Sequence, residues 1–321
     1  MFQNNPFLLS VIVPLYNESG SLPALHQRLT QVLAQLAVKD YEVVFVDDGS
    51  RDATFAGVKA LSEQDSHIKA IRFARNFGKE AAMLAGLRAA KGQAVVLIDG
   101  DLQHPPELIP QMVAAWQQGF KMVTAVRQSR NTDPWLRRKL TGIFYRFFAM
   151  ISEVRLEEGG GDFRLFDRRV VDAILSMPER NRFMKGITSW VGFEHTTLPF
   201  EPESRAAGQS SFNLIGLVRY AFDGISAFST MPLKIWSGIG AVMALISCLY
   251  GAFLVIKTIV LGIDLPGYAS LMVSILFLSG LQLISLGVLG AYIGRVFTEV
   301  KARPVYLESD RVGFESSPRE P

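Results

Sequence analysis

A chain of 321 residues with 33 Lys and Arg against 30 Asp and Glu carries a net charge of +3, which excludes the basic footprint of a nucleic-acid binder. Its 49% hydrophobic content and mean hydropathy of +0.22 are high for a wholly soluble protein. The one cysteine, Cys248, excludes an intramolecular disulfide and a cysteine-based metal site.

No secretory signal is expected at the start, because residues 1–9 hold no basic residue and the apolar stretch after them is broken at Pro14 and Asn17. The large N-terminal part is therefore expected to stay in the compartment where it is made. Apolar runs at 10–14, 42–46, 68–72 and 94–98 predict strands, and helical spacing at 22–36, 53–64 and 79–90 predicts the helices between them. A further short strand is expected at 122–125. Such alternation with short connections implies parallel β-α-β units and a doubly wound α/β sheet. No G-x-G-x-x-G follows a strand, and Phe77-Gly78-Lys79-Glu80 lacks the spacing and hydroxyl of a P-loop, so nicotinamide cofactors and P-loop ATPases fit poorly. Gly159-Gly160-Gly161 reads as a flexible turn ahead of Asp162.

Further on, Phe212, Ile215, Val218, Phe222 and Ile225 recur at helical spacing, which suits a helix lying in a membrane interface or a core helix of the soluble part. Between Lys234 and Lys257, and again between Asp264 and Arg295, no Asp, Glu, Lys or Arg occurs. Each gap accommodates the roughly 20 apolar residues that cross a bilayer as a helix. Two transmembrane helices are thus predicted, at about 235–256 and 268–294. Arg219, Lys234, Arg295, Lys301 and Arg303 flank the pair, while the connecting loop offers Lys257 against Asp264. This asymmetry places both termini in the cytoplasm. The tail, 308–321, reads as disordered.

Three clusters carry chemistry. Asp99-Gly100-Asp101-Leu102-Gln103 follows the buried run 94–98, and ligands of parallel sheets gather outside the carboxyl ends of strands. Mg²⁺ and Mn²⁺ prefer oxygen ligands and commonly take one or two carboxylates, completing their shell with substrate phosphates. Asp99, Asp101 and Gln103 alternate so as to aim at one side of an extended segment, although solvated turn residues or helix caps have the same pattern. His104, ahead of Pro105-Pro106, reads as a turn residue rather than a ligand. In the second cluster, Asp47-Asp48-Gly49-Ser50, the acids can accept hydrogen bonds from a nucleotide, while Ser50 or Asp52 can cap the next helix. The third, Pro14-Leu15-Tyr16-Asn17-Glu18, sets a ring suited to stacking on a base beside an acid.

Taken together, VIVPLYNE, VFVDDGSRDAT, RNFGKEAAMLAGL, DGDLQHPPELIP, GDFRLFDRRVV, PERNRFMKGITSWVGF and ARPVY resemble family 2 glycosyltransferases of the GT-A fold. The closer resemblance is to polyprenyl-phosphate glycosyltransferases, and among these to the bactoprenol (undecaprenyl-phosphate) glucosyltransferases, over about residues 10–306. It implies a cytoplasmic GT-A domain over 1–210 with a mixed sheet, a juxtamembrane amphipathic region over 211–231, a transmembrane hairpin over 232–297 and a cytoplasmic tail over 298–321. It further implies that Pro14, Tyr16, Glu18, Val46, Asp48 and Lys79 hold the nucleotide sugar, and that Asp99, Asp101 and Gln103 hold a divalent metal, Mg²⁺ or Mn²⁺, with the diphosphate. Asp162 matches the reactive carboxylate, and Arg127 and Arg205 match phosphate-binding arginines. Relatives read Gly-x-Ser-Lys where this chain has Gly208-Gln209-Ser210-Ser211, so the missing lysine contact falls to another residue, with Arg137, Arg138 or Lys139 as candidates.

The implied reaction moves a hexose from a nucleotide sugar, UDP-glucose by resemblance, to the phosphate of undecaprenyl phosphate with inversion, at the bacterial inner membrane, for surface-glycan modification. Donors carrying mannose, N-acetylhexosamine or amino-arabinose are alternatives, as is a non-catalytic sugar-nucleotide sensor. A processive synthase would need a Q-x-x-R-W segment, which is absent. Resemblance also implies a homotetramer. The small residues Gly238, Gly240, Gly280, Gly287 and Gly290 in the spans permit close helix packing.

Overall fold

The computed structural model describes residues 7–36, 38–127, 160–180, 182–201, 229, 231–261 and 267–314. Eight strands form one mixed sheet in the order β7-β5-β6-β4-β1-β2-β3-β8. Its centre follows the predicted alternation: β1 (Leu8–Leu15), α1 (Leu22–Ala34), β2 (Asp40–Asp47), α2 (Thr54–Gln64), β3 (Ile68–Phe73), α3 (Lys79–Ala89) and β4 (Ala94–Leu97). β1 pairs in parallel with both β2 and β4, and β2 in parallel with β3. Residues 43–47 of β2 are buried without a break, as expected of a strand covered on both faces. On α1 the buried face is Leu22, Leu25, Leu29 and Leu33, one helical stripe in which each leucine contributes about 1.5–3 kcal/mol of burial. Packed against β1 and β2, α3 is buried at Ala81, Ala82, Ala85 and Ala89, small side chains that let the helix lie close on the sheet.

The other half of the sheet is antiparallel at its join. α4 (Ile109–Gln117) leads to β5 (Met122–Arg127), which pairs with β6 (Gly160–Asp167), and β6 pairs antiparallel with β4. The sequence reading had no strand here and took Gly159-Gly160-Gly161 as a turn, whereas Gly160 and Gly161 open β6. A side chain at Gly161 would come within 3.4 Å of His104 Nε2, so the glycine admits the close passage of strand and ring. α5 (Arg168–Ser176), α6 (Met184–Trp190) and β7 (His195–Phe200) follow, β7 parallel to β5.

Two long helices come next, α7 (Met231–Leu261) and α8 (Tyr268–Val300), each extending beyond its predicted span. Within them Leu233–Val260 and Ser270–Val300 are long and apolar enough to cross a membrane, and none of either apolar window is buried. Leu249, Phe253, Leu276 and Phe277 are each more than half exposed. A soluble-core hairpin would bury such side chains. The interfacial helix expected around 212–225 lies outside the described residues.

Over residues 308–314 the tail contradicts its expected disorder, and residues 315–321 lie outside the described residues. After α8 the chain returns to the sheet as β8 (Glu308–Val312), antiparallel to β3. Tyr306 stacks on Phe73 with ring centroids 4.8 Å apart, and Val305 and Phe314 pack on the same cluster. Composition hid this strand because Glu308, Ser309, Asp310 and Arg311 stay exposed. Its stability comes from backbone pairing with an otherwise open edge and from the aromatic flanks.

At the amino-terminal end of the strands a polar network is buried. Glu42 accepts from Ser10 Oγ at 2.5 Å and from the Lys91 N–H at 2.6 Å, and pairs with the Lys69 ammonium. Burial pushes the Glu42 carboxyl up, but the Lys69 and Ser10 hydrogen bonds prevail and hold it below its ordinary value. Glu42→Ala strands Lys69 and should cost about 3–5 kcal/mol, read as the loss in denaturant midpoint. A cost within the range of surface substitutions would contradict the network's role.

Candidate active site

The reactive cluster follows from strand register. Leu97, the last residue of β4, lies opposite Arg164 of antiparallel β6. Two residues further out along each strand, Asp99 and Asp162 therefore come together. Lys79, the first residue of α3, joins them, its Nζ 2.6 Å from Asp99 Oδ1 and 2.5 Å from Asp162 Oδ2. Two carboxylates this close repel unless a cation lies between them. Burial pushes Asp162 up, but Lys79, Lys185 and Arg164 outweigh it and hold the carboxyl well below the usual range. Burial likewise pulls Lys79 down, and Asp99 with Asp162 more than reverses that. Around it, Arg164 donates to the Gly161 carbonyl and the Thr188 hydroxyl, and Arg168 to the Gly92 and Ala90 carbonyls.

The metal-facing set differs from the predicted one. Ligand atoms of Asp99, Asp101 and His104 lie within 4.8 Å of one another. Gln103, predicted as the third member, accepts from Arg127 Nη2 at 3.4 Å. The alternation fails because Leu102 sits at φ 62, a left-handed turn closed by the Gln103 N–H on Asp101 Oδ1 at 3.1 Å. The chain bends there, with His104 itself in the bend as the sequence predicts, and the same turn brings its ring beside the acids. Its Nδ1 lies 3.5 Å from Asp99 Oδ2, is buried, and has no hydrogen-bond partner. Burial lowers the imidazole's pKa despite Asp99, which favours the neutral form that ligates metals. Two carboxylates beside a buried, unpartnered imidazole fit a divalent cation.

The nucleotide-facing candidates divide. Tyr16 is 43% exposed and lines a cleft of about 510 Å³ with Arg51, Arg72, Arg75, Ser309 and Asp310. Pro14 is opposite Val46 in register. The Val46 side chain is fully buried in the cluster of Val44, Ile71 and Phe73, so packing takes the surface that a ligand would need. Glu18 accepts from the Ser21 hydroxyl at 2.8 Å. Asp48 is buried, with one oxygen accepting the Phe77 N–H at 2.6 Å and the other the Gly78 N–H at 2.9 Å. Burial pushes its carboxyl up in spite of those bonds. Asp48 thus braces the turn that begins α3 and, through it, the position of Lys79. Gly49 makes the approach possible: at φ +69, a side chain there would meet the Arg75 carbonyl carbon at 2.5 Å. The expected cap is displaced: Ala53 is the N-cap of α2 and makes no side-chain cap hydrogen bond, while Asp52, one residue before it, accepts the Thr54 N–H at 3.0 Å.

Arg137, Arg138, Lys139, Arg205 and Ser211 lie outside the described residues. Sequence reasoning missed Glu80. Its carboxyl accepts the Met184 N–H at 3.1 Å, and burial, with the Asp162 charge second, pushes it up to about 7. An unfolded glutamate ionises near 4.5, so from there to about pH 7 the unfolded chain loses its proton first and stability falls as pH rises. Glu80→Gln should therefore raise Tm relative to wild type by an amount that grows from about pH 4 to about pH 8. A gap independent of pH would contradict the buried ionisation.

The glycosyl transferase family 2 model matches residues 10–175, and the GtrB C-terminal hairpin model matches residues 231–296. An uncharacterized glycosyltransferase of Synechocystis sp. is 48% identical over 312 residues, covering 97% of this chain and 98% of that one. The SfII prophage-derived bactoprenol glucosyl transferase of Shigella flexneri is 47% identical over 299 residues, covering 93% and 96%. Among solved structures, glucosyl-3-phosphoglycerate synthase from Mycobacterium tuberculosis in complex with Mn²⁺, uridine diphosphate and phosphoglyceric acid aligns at TM-score 0.47 and 16% identity, over 68% of this chain and 76% of that one. With one family model covering the strand-rich domain and another the helical pair, the chain belongs to glycosyltransferase family 2 and carries the GtrB-type C-terminal hairpin.

Proposed function

We propose that the protein transfers glucose from UDP-glucose, with inversion, to the phosphate of undecaprenyl phosphate at the cytoplasmic face of the bacterial inner membrane. The observation that carries this reading is the junction of Asp99, Lys79 and Asp162 at the end of β4, beside an acid and imidazole set, in a chain whose next elements are two unburied apolar helices. The near-full-length likeness to a bactoprenol glucosyl transferase supports the sugar and the acceptor.

In this reading an acceptor phosphate oxygen attacks the anomeric carbon. The bond to the nucleoside diphosphate breaks, and its electron pair leaves on the diphosphate oxygen. Asp99, Asp101 and His104 would hold Mg²⁺ or Mn²⁺, which when bound supplies positive charge to the leaving diphosphate. Arg127, oriented by Gln103, offers a planar donor to phosphate. Asp162 stays ionised at working pH because Lys79 holds its proton affinity down. A phosphate monoester with a second pKa near 6 is already largely deprotonated at neutral pH and needs no base. Asp162 therefore orients the sugar and acceptor and stabilises positive charge developing at the anomeric carbon. The family 2 domain works at the membrane surface and the hairpin crosses the bilayer, with both of its ends on the domain's side; the return of the chain to β3 as β8 supports that topology. Anchoring holds the site beside an acceptor confined to the bilayer.

A donor panel tests the reading. With purified protein and undecaprenyl phosphate, UDP-glucose should give the highest rate of lipid-linked sugar. A higher rate with GDP-mannose or a UDP-N-acetylhexosamine would replace the assigned donor.

A further inference from the structure

A cavity of about 770 Å³ opens where the domain-proximal end of α8 meets the start of α3 and the segment leading into α6. Among the described residues its lining includes the cations Lys79, Arg180, Arg182, Arg295, Lys301 and Arg303 and the carboxyl of Glu80. These cations do different work. Arg182 is buried and donates to the carbonyls of Ile174, Met177 and Glu179 at 2.5–3.1 Å, so it builds the wall. Arg180 ties that wall to α8: its backbone N–H donates to the Glu299 carboxylate at 3.1 and 3.2 Å, and its guanidinium to the Arg303 carbonyl. Lys301 and Arg303 have exposed side chains. Lys301 rests 4.5 Å from the Phe297 ring centroid.

Apolar lining comes from the same membrane-length helix that carries Arg295 and ends at Lys301, at Ala291, Gly294 and Phe297. Lys79, whose ammonium touches both Asp99 and Asp162, is also among the lining residues. A phosphate carried on an apolar chain matches every part of this space. Its charge would meet Lys301 and Arg303, its chain would lie on α8, and one lining residue, Lys79, is shared with the reactive cluster. A nucleotide has no group for the α8 wall. A bulk phospholipid would be served by outward-facing cations alone and has no use for Lys79.

We infer that this cavity is the entry subsite for the phosphate end of the polyprenyl phosphate acceptor, with Lys301 and Arg303 binding the phosphate and Ala291, Gly294 and Phe297 guiding the first isoprene units. The inference rests on the proposed transferase reading for the identity of the lipid. It adds residues that neither the strand-end acids nor the Arg127 and Arg205 assignments include.

The test is equilibrium binding of undecaprenyl phosphate, and separately of undecaprenol, to the full chain in nanodiscs of zwitterionic phospholipid without donor. The double variant Lys301→Gln with Arg303→Gln should bind undecaprenyl phosphate at least about tenfold more weakly while undecaprenol binding and donor KM stay at wild-type values. Gly294→Leu, at a position whose Cβ meets nothing within 4 Å, places bulk in the cavity without touching a charge. It should weaken binding of both lipids. Wild-type affinity in both variants would overturn the subsite, as would displacement of undecaprenyl phosphate by equimolar phosphatidylglycerol, which would mark a surface for bulk anionic lipid. Tight, variant-sensitive binding without sugar transfer from any donor would leave the subsite standing and remove the transferase reading. Normal transfer with variants that bind like wild type would do the reverse.

Discussion

Asp162→Asn should lower turnover by about 10²–10³-fold while leaving UDP affinity within a few-fold of wild type. The carboxylate is held ionised by Lys79, Lys185 and Arg164, and the amide that replaces it keeps the shape and loses the charge. Lys79 then pairs with Asp99 alone, and positive charge forming at the anomeric carbon loses its nearest counter-charge. On the proposed reading the nucleotide takes the cleft at Tyr16, Arg51 and Arg75, which other strand ends build, so its affinity should be spared. Turnover with saturating donor and acceptor, together with calorimetric titration of UDP, separates the two effects. Near-wild-type turnover would take Asp162 out of the mechanism. A pH profile adds a check on role: the acid limb of kcat should follow the acceptor phosphate, near about pH 6, and should stay there when the donor is changed.

The second large effect is expected at Asp99. Asp99→Asn removes one carboxylate from the set with Asp101 and His104 and one of the two partners of Lys79. Turnover should fall about 10²–10³-fold, the range for loss of a group that stabilises developing charge. Mn²⁺ binding, followed by the electron paramagnetic resonance of the free ion, should weaken at least about tenfold without any substrate present. Unchanged Mn²⁺ affinity would show that the ion is held elsewhere. His104→Ala should weaken Mn²⁺ in the same assay if the buried Nδ1 is a ligand, whereas Gln103→Ala should leave it close to wild type.

What the sequence disclosed follows from which forces leave a periodic trace. The strands β1 to β4 and the helices α1 to α3 were legible because burial on both faces gives continuous apolar runs, and burial on one face gives a stripe like Leu22, Leu25, Leu29 and Leu33. β6 was hidden because its opening residues are glycines, which read as a turn, even though Asp162, Phe163, Arg164 and Leu165 carry the alternation of a strand. β8 was hidden because an edge strand held by backbone pairing needs no apolar alternation. In the site, Asp99 and Asp101 were legible from position, as acids directly after a buried run. His104 was not, since its approach depends on one left-handed residue, Leu102, that no local rule demands of a leucine. Asp48 was read as facing a nucleotide, yet its two oxygens bind backbone N–H groups contributed by a loop about thirty residues further along. Glu80 carries no sequence signal, because its shifted proton affinity arises from burial next to Asp162. Lys79 lies twenty residues before Asp99 in the chain and is joined to it by the strand order alone.

The proposed reaction is sugar transfer to a phosphate carried by a membrane lipid. Membranes containing the full chain, incubated with radiolabelled UDP-glucose and a divalent cation, should form organic-extractable label when undecaprenyl phosphate is added and none when undecaprenol replaces it, and chelation or Asp162→Asn should abolish that label. Label that forms equally with undecaprenol, or no extractable label with any nucleotide sugar, would contradict it.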